Sequence, residues 1–196
     1  MSEIAKPVIP NIKSICIFGE IGEDTTATVI PELLETDFEK ENITELHIYI
    51  CSEGGLLSYC FALLDFIQVL KAQFNLTIYT YGLGEIGSGG FFLFLLGDKR
   101  ILFSNCRVFV HEHITINPEA KTYSDRLKET KTTEKELYET YLNYTIKQLN
   151  ITKKEAKRLL AKNKFLNKKD IKVYKILGEE DEQADDGLRR NGNEYR

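Results

Sequence analysis

Short apolar stretches with strand character alternate with helix-forming stretches through the first half of this 196-residue chain. Such alternation predicts an α/β fold, in which crossover helices connect the strands of a mostly parallel sheet. Helices are expected from Asp24 to Glu39, where Pro31 should kink or delay the helix, over 56–71 and after Ser88. The predicted strands are 14–18, 46–51, 76–81, 100–103 and 107–111.

The second half of the chain has a different composition and predicts a different architecture. Residues from about 119 to 150 are rich in Lys, Glu, Leu and Tyr and have few helix breakers, which indicates one long helix. A helix of this length is expected to project and pack on another subunit; packing on its own domain is the alternative. We predict an N-terminal arm over 1–12, one domain over 13–178, and a disordered acidic and polar tail over 179–196.

Composition argues against several classes of function. The net charge of −4 gives no basic field for nucleic acid, and the apolar run 89–96 is too short to span a membrane. The four cysteines form no Cys-x-x-Cys pair, so a zinc or thioredoxin-like site is not expected. Free cysteines and the absence of an apolar signal segment at the N-terminus favour a reducing, cytoplasmic location.

Ser88 is the most informative candidate for chemistry. It lies in the run 82–90 (GLGEIGSGG), between a predicted strand and an apolar helix. A serine at such a turn can act as an oxygen nucleophile, and free N–H groups at a helix start stabilise developing negative charge. His111 ends the last predicted strand and is the candidate general base. Together these two residues favour acyl-transfer chemistry.

Glycines at two strand-to-helix turns add an oxyanion hypothesis. Gly55 follows one predicted strand and Gly89 follows another, so backbone N–H groups from the two turns can face one oxyanion. The alternative is that the Gly54-Gly55 pair only permits a tight turn.

Two cofactor interpretations are weaker. The spacing Gly82-x-Gly84-x-x-Gly87 matches a dinucleotide-binding loop, but the next strand ends in 104–105 (Ser-Asn) without the acidic residue that holds a ribose. The triplet 111–113 (His-Glu-His) lacks the helical spacing of a zinc motif. We therefore predict neither a metal nor a cofactor.

Four segments follow one another along the chain: the turn 51–55 (CSEGG), the serine run 80–93, the histidine strand 105–113, and 162–166 (KNKFL). Together, in this order, they resemble the Clp protease proteolytic subunit family. The resemblance covers about 14–182 and includes the long helix, which is similar to the handle by which family rings dock. It implies a crotonase-like α/β fold, the Clp-protease fold. The segment 162–166 is similar to the family's Arg-Asp-x-Phe segment.

The same resemblance implies a function and an assembly. Ser88 would attack a peptide carbonyl, His111 would carry the proton, Asn163 would stand at the position of the triad aspartate, and Gly55 and Gly89 would bind the oxyanion. The chain would be a serine endopeptidase that cleaves peptides or unfolded proteins inside a homo-oligomer of heptameric rings, stacked as a tetradecamer. An AAA+ unfoldase is a possible partner.

The chain also departs from the family pattern. Asn163 carries no charge to stabilise an imidazolium, which predicts damped activity unless Asp170 substitutes as the carboxylate. Glu53 replaces a proline, and Glu85 beside the nucleophile is expected to repel acidic substrates. The stretch 115–120 is short for the family's substrate strand. The short N-terminus leaves docking to an unfoldase open.

Two alternatives follow from these departures and from the glycine turns. The chain is either a Clp-like peptidase or a non-catalytic, regulatory ring subunit that uses the fold for assembly. A crotonase-type enzyme acting on acyl thioesters shares the oxyanion architecture, but it would leave the serine and histidine unexplained.

Overall fold

A computed structural model of the chain describes residues 10–111, 136 and 138–178. The predictions for residues 1–9 of the arm, for 119–135 and 137 of the long helix, for His113, for 115–120 and for the tail 179–196 lie outside this part. The strands are β1 Asn11–Ile21, β2 Ile43–Gly55, β3 Thr77–Gly87, β4 Lys99–Leu102, β5 Arg107–Val110 and β6 Lys164–Phe165. The helices are α1 Glu23–Leu34, α2 Leu57–Phe74, α3 Ser88–Phe94, α4 over 138–149, α5 Lys153–Leu160 and α6 Lys168–Val173.

The strands form one six-stranded sheet in the order β1-β2-β3-β5-β6, with β4 also paired to β3. All the pairs are parallel except β5 with β6, which is antiparallel. The α/β class expected from the sequence is confirmed. Because parallel strands all end at the same edge, the carboxyl ends of β2, β3 and β5 meet there.

One face of the sheet carries the core. Ile15 and Ile17 of β1 are buried, and they pair in register with Ile48 and Ile50 of β2, which are buried as well. The apolar stripe of α2 packs on this face with the same cluster. The alternating neighbours in β1, such as Phe18, are exposed, as expected when only one face of a strand is covered.

Length and composition alone would allow α2 to cross a bilayer, since its 18 residues have a mean hydropathy of 1.2. Its apolar residues have another role in the fold, because those on one side pack into the core beside the sheet. These are Leu57, Cys60, Leu63, Leu64, Ile67 and Leu70.

The structure corrects the prediction for the first helix. α1 begins at Glu23, with Gly22 as a cap that offers no side-chain hydrogen bond, and it runs through Pro31 to Leu34. The expected start at Asp24 was close, but the expected end at Glu39 was wrong. Pro31 lies in the last turn, where its missing N–H removes one i→i−4 hydrogen bond, and the helix ends three residues later.

The described part of the long helix packs on its own domain. In α4, the rings of Tyr141 and Tyr144 stack on Phe92 of α3, with centroids 4.3 and 4.7 Å away. The hydroxyl of Tyr144 donates to the Phe92 carbonyl at 3.2 Å. α4 thereby holds α3, whose first residue is Ser88.

Candidate active site

The candidate nucleophile Ser88 lies at a sharp turn between β3 and α3. β3 stays extended to Gly87, with φ of −143° and ψ of 158°, and Ser88 is the first helical residue. The backbone of Ser88 has a φ of 47°, which is sterically unfavourable for a residue with a side chain. Such a conformation persists only where the surrounding structure imposes it, and it is often found at functional sites.

The Gly54–Gly55 end of β2 packs directly on this turn. Gly54 has a φ of 112°, and a Cβ atom added to it would lie 2.6 Å from the Cβ of Ser88 and 2.8 Å from the amide nitrogen of Gly89. Both values are shorter than any tolerable contact, so only glycine fits here. The absence of a side chain lets the two strand ends meet backbone to backbone.

The two predicted oxyanion donors are neighbours. A Cβ atom added to Gly89 would lie 3.6 Å from the amide nitrogen of Gly55. The next amide, that of Leu56, donates to Ile21 of β1 at 3.0 Å. The Leu56 bond fixes the end of β2 against β1 and holds the Gly55 amide nitrogen beside α3. The amide nitrogens of Gly55 and Gly89 thus lie next to each other at the Ser88 turn; their role as oxyanion donors stays a prediction.

Ser52 stabilises the end of β2 through a hydrogen bond within the same turn. Its side chain is buried, and its Oγ accepts a hydrogen bond from the amide of Gly54 at 3.1 Å. The sequence interpretation gave Gly54 only a part in a tight turn and did not assign Ser52 a role of its own. The pattern Ser-x-Gly at a strand end is typical of a serine that bonds its own turn, and it was the available signal.

His111 follows the end of β5, the strand next to β3. The register pairs Gly87 with Phe109, so Ser88 and His111 leave the sheet at the same edge, from adjacent strands. His111 is half-buried, and its ring lies 5.6 Å from that of Phe109. In the described chain, no hydrogen bond joins His111 to Ser88. Contacts of this kind often tighten only when substrate binds.

Asn163 precedes β6 and comes next to His111 by register. β6 pairs with β5 through Val110 and Lys164, so the following pair outward is His111 with Asn163. Asn163 is exposed and has a φ of 47°, a conformation that asparagine tolerates better than most residues. The described contacts of Asn163 include no hydrogen bond to the imidazole.

A comparison with family models matches the Clp protease family over residues 6–179. This chain belongs to the Clp protease family. The match covers most of the 196 residues, and it agrees with the α/β sheet and with the order of the segments identified from the sequence. The family resemblance inferred from the sequence is therefore confirmed, and the domain is that of a peptidase family.

In this Clp protease chain, Asp170 is engaged elsewhere than at His111. Its carboxylate accepts a hydrogen bond from Lys162 at 2.8 Å and lies 3.8 Å from the ammonium of Lys164. The hydrogen bond from Lys162, together with the Asn167 amide, lowers the pKa of Asp170. The contacts of Asp170 give no support to the suggestion that it replaces the triad aspartate.

Glu85 is partly neutralised rather than free. Its carboxylate accepts from Arg107 at 2.7 Å, across the β3–β5 register pair, and the Arg107 guanidinium lies 4.6 Å over the ring of Phe165. Through these two contacts, Arg107 connects β5 to β3 and to β6. Glu85 also lines a cavity of about 540 Å³ with Glu20 and Glu53. The lining keeps acidic character, although Glu85 itself is paired.

Other candidate groups near the turn have structural roles. Burial raises the pKa of the Cys60 thiol, which packs beneath Gly89, to about 12, so this cysteine stays protonated and behaves as an apolar group. Gly82, Gly84 and Gly87 lie within β3 rather than in a loop that could cradle a phosphate. In the described ranges, no group of three His, Cys, Asp or Glu side chains could hold a metal ion.

Proposed function

We propose that this chain is a serine endopeptidase of the Clp type, with Ser88 as nucleophile and His111 as general base. The observation that carries the proposal is the packing of the Gly54–Gly55 strand end against the positive-φ turn at Ser88. This arrangement combines a nucleophile, two backbone donors and a neighbouring histidine strand at one sheet edge.

The proposed mechanism uses only groups of this chain. The Ser88 hydroxyl attacks the peptide carbonyl while His111 takes its proton, and the N–H groups of Gly55 and Gly89 bind the resulting oxyanion. The tetrahedral intermediate collapses as His111 gives the proton to the leaving amine. Water, activated by the same imidazole, then hydrolyses the acyl ester and releases Ser88.

Asn163 sets the expected level of activity. Its amide oxygen can accept the imidazole N–H and fix the tautomer, but it supplies no negative charge to the imidazolium. In a trypsin-like enzyme, the change from aspartate to asparagine at this position lowers kcat about 10⁴-fold. That loss arises because asparagine holds the wrong imidazole tautomer. We propose a peptidase with damped activity, because Asn163 supplies no charge and its NH₂ group can likewise hold the wrong tautomer.

Fluorophosphonate labelling tests the nucleophile. We expect the probe to modify Ser88 at neutral pH and Ser88→Ala to abolish the labelling, because an ordinary serine hydroxyl does not react. Cys60→Ser serves as a control with an added hydroxyl close to the turn, and it should show no second labelled site. Failure of the intact assembly to label at Ser88 would contradict the proposal.

A second candidate, a non-catalytic ring subunit, is favoured by the exposed Asn163 and its lack of a described bond to His111. The variant Asn163→Asp separates the two functions. For a damped enzyme, the added carboxylate should raise peptide hydrolysis by at least about ten-fold. The reverse change, from aspartate to asparagine, lowers kcat far more than this in a trypsin-like enzyme. Continued silence of the assembled Asn163→Asp variant would favour the scaffold.

We further propose the assembly and surroundings that accompany this activity in the family. The chain forms heptameric rings, stacked as a tetradecamer, in the cytoplasm, and it degrades peptides or unfolded proteins that an AAA+ unfoldase could supply. Family membership supports this assembly. Native mass spectrometry of the purified particle tests it, and a monomer at micromolar concentration would contradict it.

A further inference from the structure

One carboxylate contacts both residues that flank Asn163. Asp170 accepts a hydrogen bond from Lys162, the residue before Asn163, at 2.8 Å, and lies 3.8 Å from the ammonium group of Lys164, the residue after it. Asp170 is only 8% exposed, whereas Asn163 is exposed. The turn that carries Asn163 is thus held on both sides by a group that is itself well fixed.

Asp170 is fixed by the start of α6. Its amide donates to the side chain of Asn167 at 2.9 Å, and its carboxylate accepts from the Asn167 amide at 3.4 Å, a reciprocal capping box. The intervening residue Leu166 donates its amide to Val108 of β5 at 2.7 Å. The segment that leads to Asp170 is therefore hydrogen-bonded to β5, the strand that His111 follows.

We propose that Asp170 is a positioning residue for the peptidase: through Lys162 and Lys164 it holds the Asn163 turn at the register position opposite His111. This inference rests on the proposed function. Asp170 does not touch the imidazole or the substrate. It acts by restricting a turn whose left-handed backbone is unfavourable by itself.

The two lysines contribute unequally. Lys162 is the closer partner, and its side chain also lies over the ring of Tyr174 at 5.6 Å, so its orientation is restricted from two sides. Lys164 is more exposed and lies farther from Asp170, so solvent screening weakens its attraction to the carboxylate. We therefore expect the effect of Asp170 on the Asn163 turn to depend mainly on Lys162.

The chain offers a matched control for helix capping. α5 begins with a second capping box, in which Thr152 and Glu155 exchange the same two hydrogen bonds at the same spacing. Glu155 has no described contact with Asn163 or its flanking lysines. Asp170→Asn and Glu155→Gln thus make the same chemical change, since each keeps an acceptor at the third helical position and removes its charge.

The test compares kcat and KM for a fluorogenic peptide in the assembled wild type, Asp170→Asn and Glu155→Gln. We expect Asp170→Asn to lower kcat about ten-fold with KM within about two-fold, because small misplacements of a catalytic group cost rate more than binding. Glu155→Gln should leave both constants within about two-fold. Equal losses in the two variants would overturn the inference, because a general effect of capping would then explain them.

A second pair of variants keeps the test decisive if Asp170→Asn does not fold. Lys162→Arg retains the charge and should retain most of kcat, whereas Lys162→Met keeps a flexible, unbranched side chain without the charge and should reproduce the loss of about ten-fold. Similar kcat values for these two variants would overturn the inference.

The result also separates this inference from the function on which it rests. Ser88-dependent hydrolysis that is unaffected by the Asp170 and Lys162 changes would refute the positioning role alone. A wild type that neither hydrolyses peptides nor labels at Ser88 would refute the peptidase, and the positioning role with it.

Discussion

The turn at Ser88 shows how single residues without side chains build the site. Gly54 and Gly89 have no room for a Cβ atom, because each lies against backbone or buried side-chain atoms of a neighbouring element. Ser88 has a Cβ atom but adopts a backbone conformation that disfavours one. The steric cost at Ser88 is offset by the packing of the residues around it.

Gly54→Ala should disrupt this turn. The new Cβ atom would lie 2.6 Å from that of Ser88, and a φ of 112° is strained for alanine, so we expect a loss of about 1–3 kcal/mol in the free energy of unfolding and loss of probe labelling. Gly22→Ala is the control, since Gly22 has an extended backbone and no atom within 4 Å of an added Cβ. Urea unfolding and fluorophosphonate labelling measure both effects. Normal labelling of Gly54→Ala would refute this account.

The sequence identified the candidate residues by their order but not by their contacts. Ser88, Gly55 and Gly89 were assigned from strand-to-helix turns, and His111 from a strand end; their catalytic roles stay predictions. The contact of Gly54 with Ser88 was not predicted, because the two residues are 34 positions apart in the sequence. Asp170 was noted as a spare carboxylate, but its two lysine partners depend on how the chain folds back between β6 and α6.

At the scale of elements, the types of helix and strand were predictable from sequence, but their ends were not. β2 and β3 were expected to end at Cys51 and Tyr81, but they extend to Gly55 and Gly87. These extensions contain glycine and polar residues, a composition that is typical of loops, so the sequence did not predict them as strand. In the sheet, neighbouring strands pair with their backbone groups, so hydrogen bonding across the sheet overrides the local preference.

One hydrogen bond holds α3 on β3. The buried hydroxyl of Thr80 donates to the carbonyl of Phe94, the last residue of α3, at 2.7 Å. Thr80→Val preserves the shape and removes the donor, so we expect the free energy of unfolding to fall by about 1–3 kcal/mol. Thr28→Val removes a comparable bond on the exposed face of α1 and should change stability by less than about 0.5 kcal/mol. Equal effects on the urea midpoints would contradict this prediction.

The ion pair at α6 predicts a pH dependence. Folding lowers the pKa of Asp170 below its ordinary value of 3.8, chiefly through the Lys162 hydrogen bond, so the carboxylate stabilises the fold above that pH. The contribution is lost as the pH falls through the lowered pKa. The difference in urea midpoint between wild type and Asp170→Asn should be constant from about pH 8 to about pH 5 and should shrink below pH 3.8. If the difference in urea midpoint had already vanished at about pH 5, the ion pair of Asp170 with Lys162 would not be its source.

At the scale of the whole molecule, the second face of the sheet bears an aromatic surface, formed by Phe18, Tyr49, Tyr81 and Phe103. Tyr49 and Tyr81 stack with ring centroids 4.6 Å apart, and Phe18 and Phe103 are 55% and 39% exposed. Parallel sheets are usually covered on both faces. In the proposed ring assembly, we expect a neighbouring subunit to shield part of this surface.

Phe18→Glu should therefore weaken the assembly. A charge within a buried contact costs several kcal/mol, enough to shift the population toward smaller species. Leu34→Glu is the control: Leu34 is also exposed, at 65%, but it lies at the end of α1, away from the aromatic surface. Native mass spectrometry at matched concentration distinguishes the two. An intact ring in Phe18→Glu would show that this surface is not an assembly contact.

The order of the strands has a consequence for how the molecule is made. The strand end at Gly54 and the turn at Ser88 leave the ribosome early, but β6 and Asn163 are among the last parts of the domain to emerge. β6 joins the sheet at its far edge, beside β5. In the proposed peptidase, a nascent chain would contain Ser88 before Asn163 could orient His111, so synthesis itself would delay the onset of proteolysis until the domain is finished.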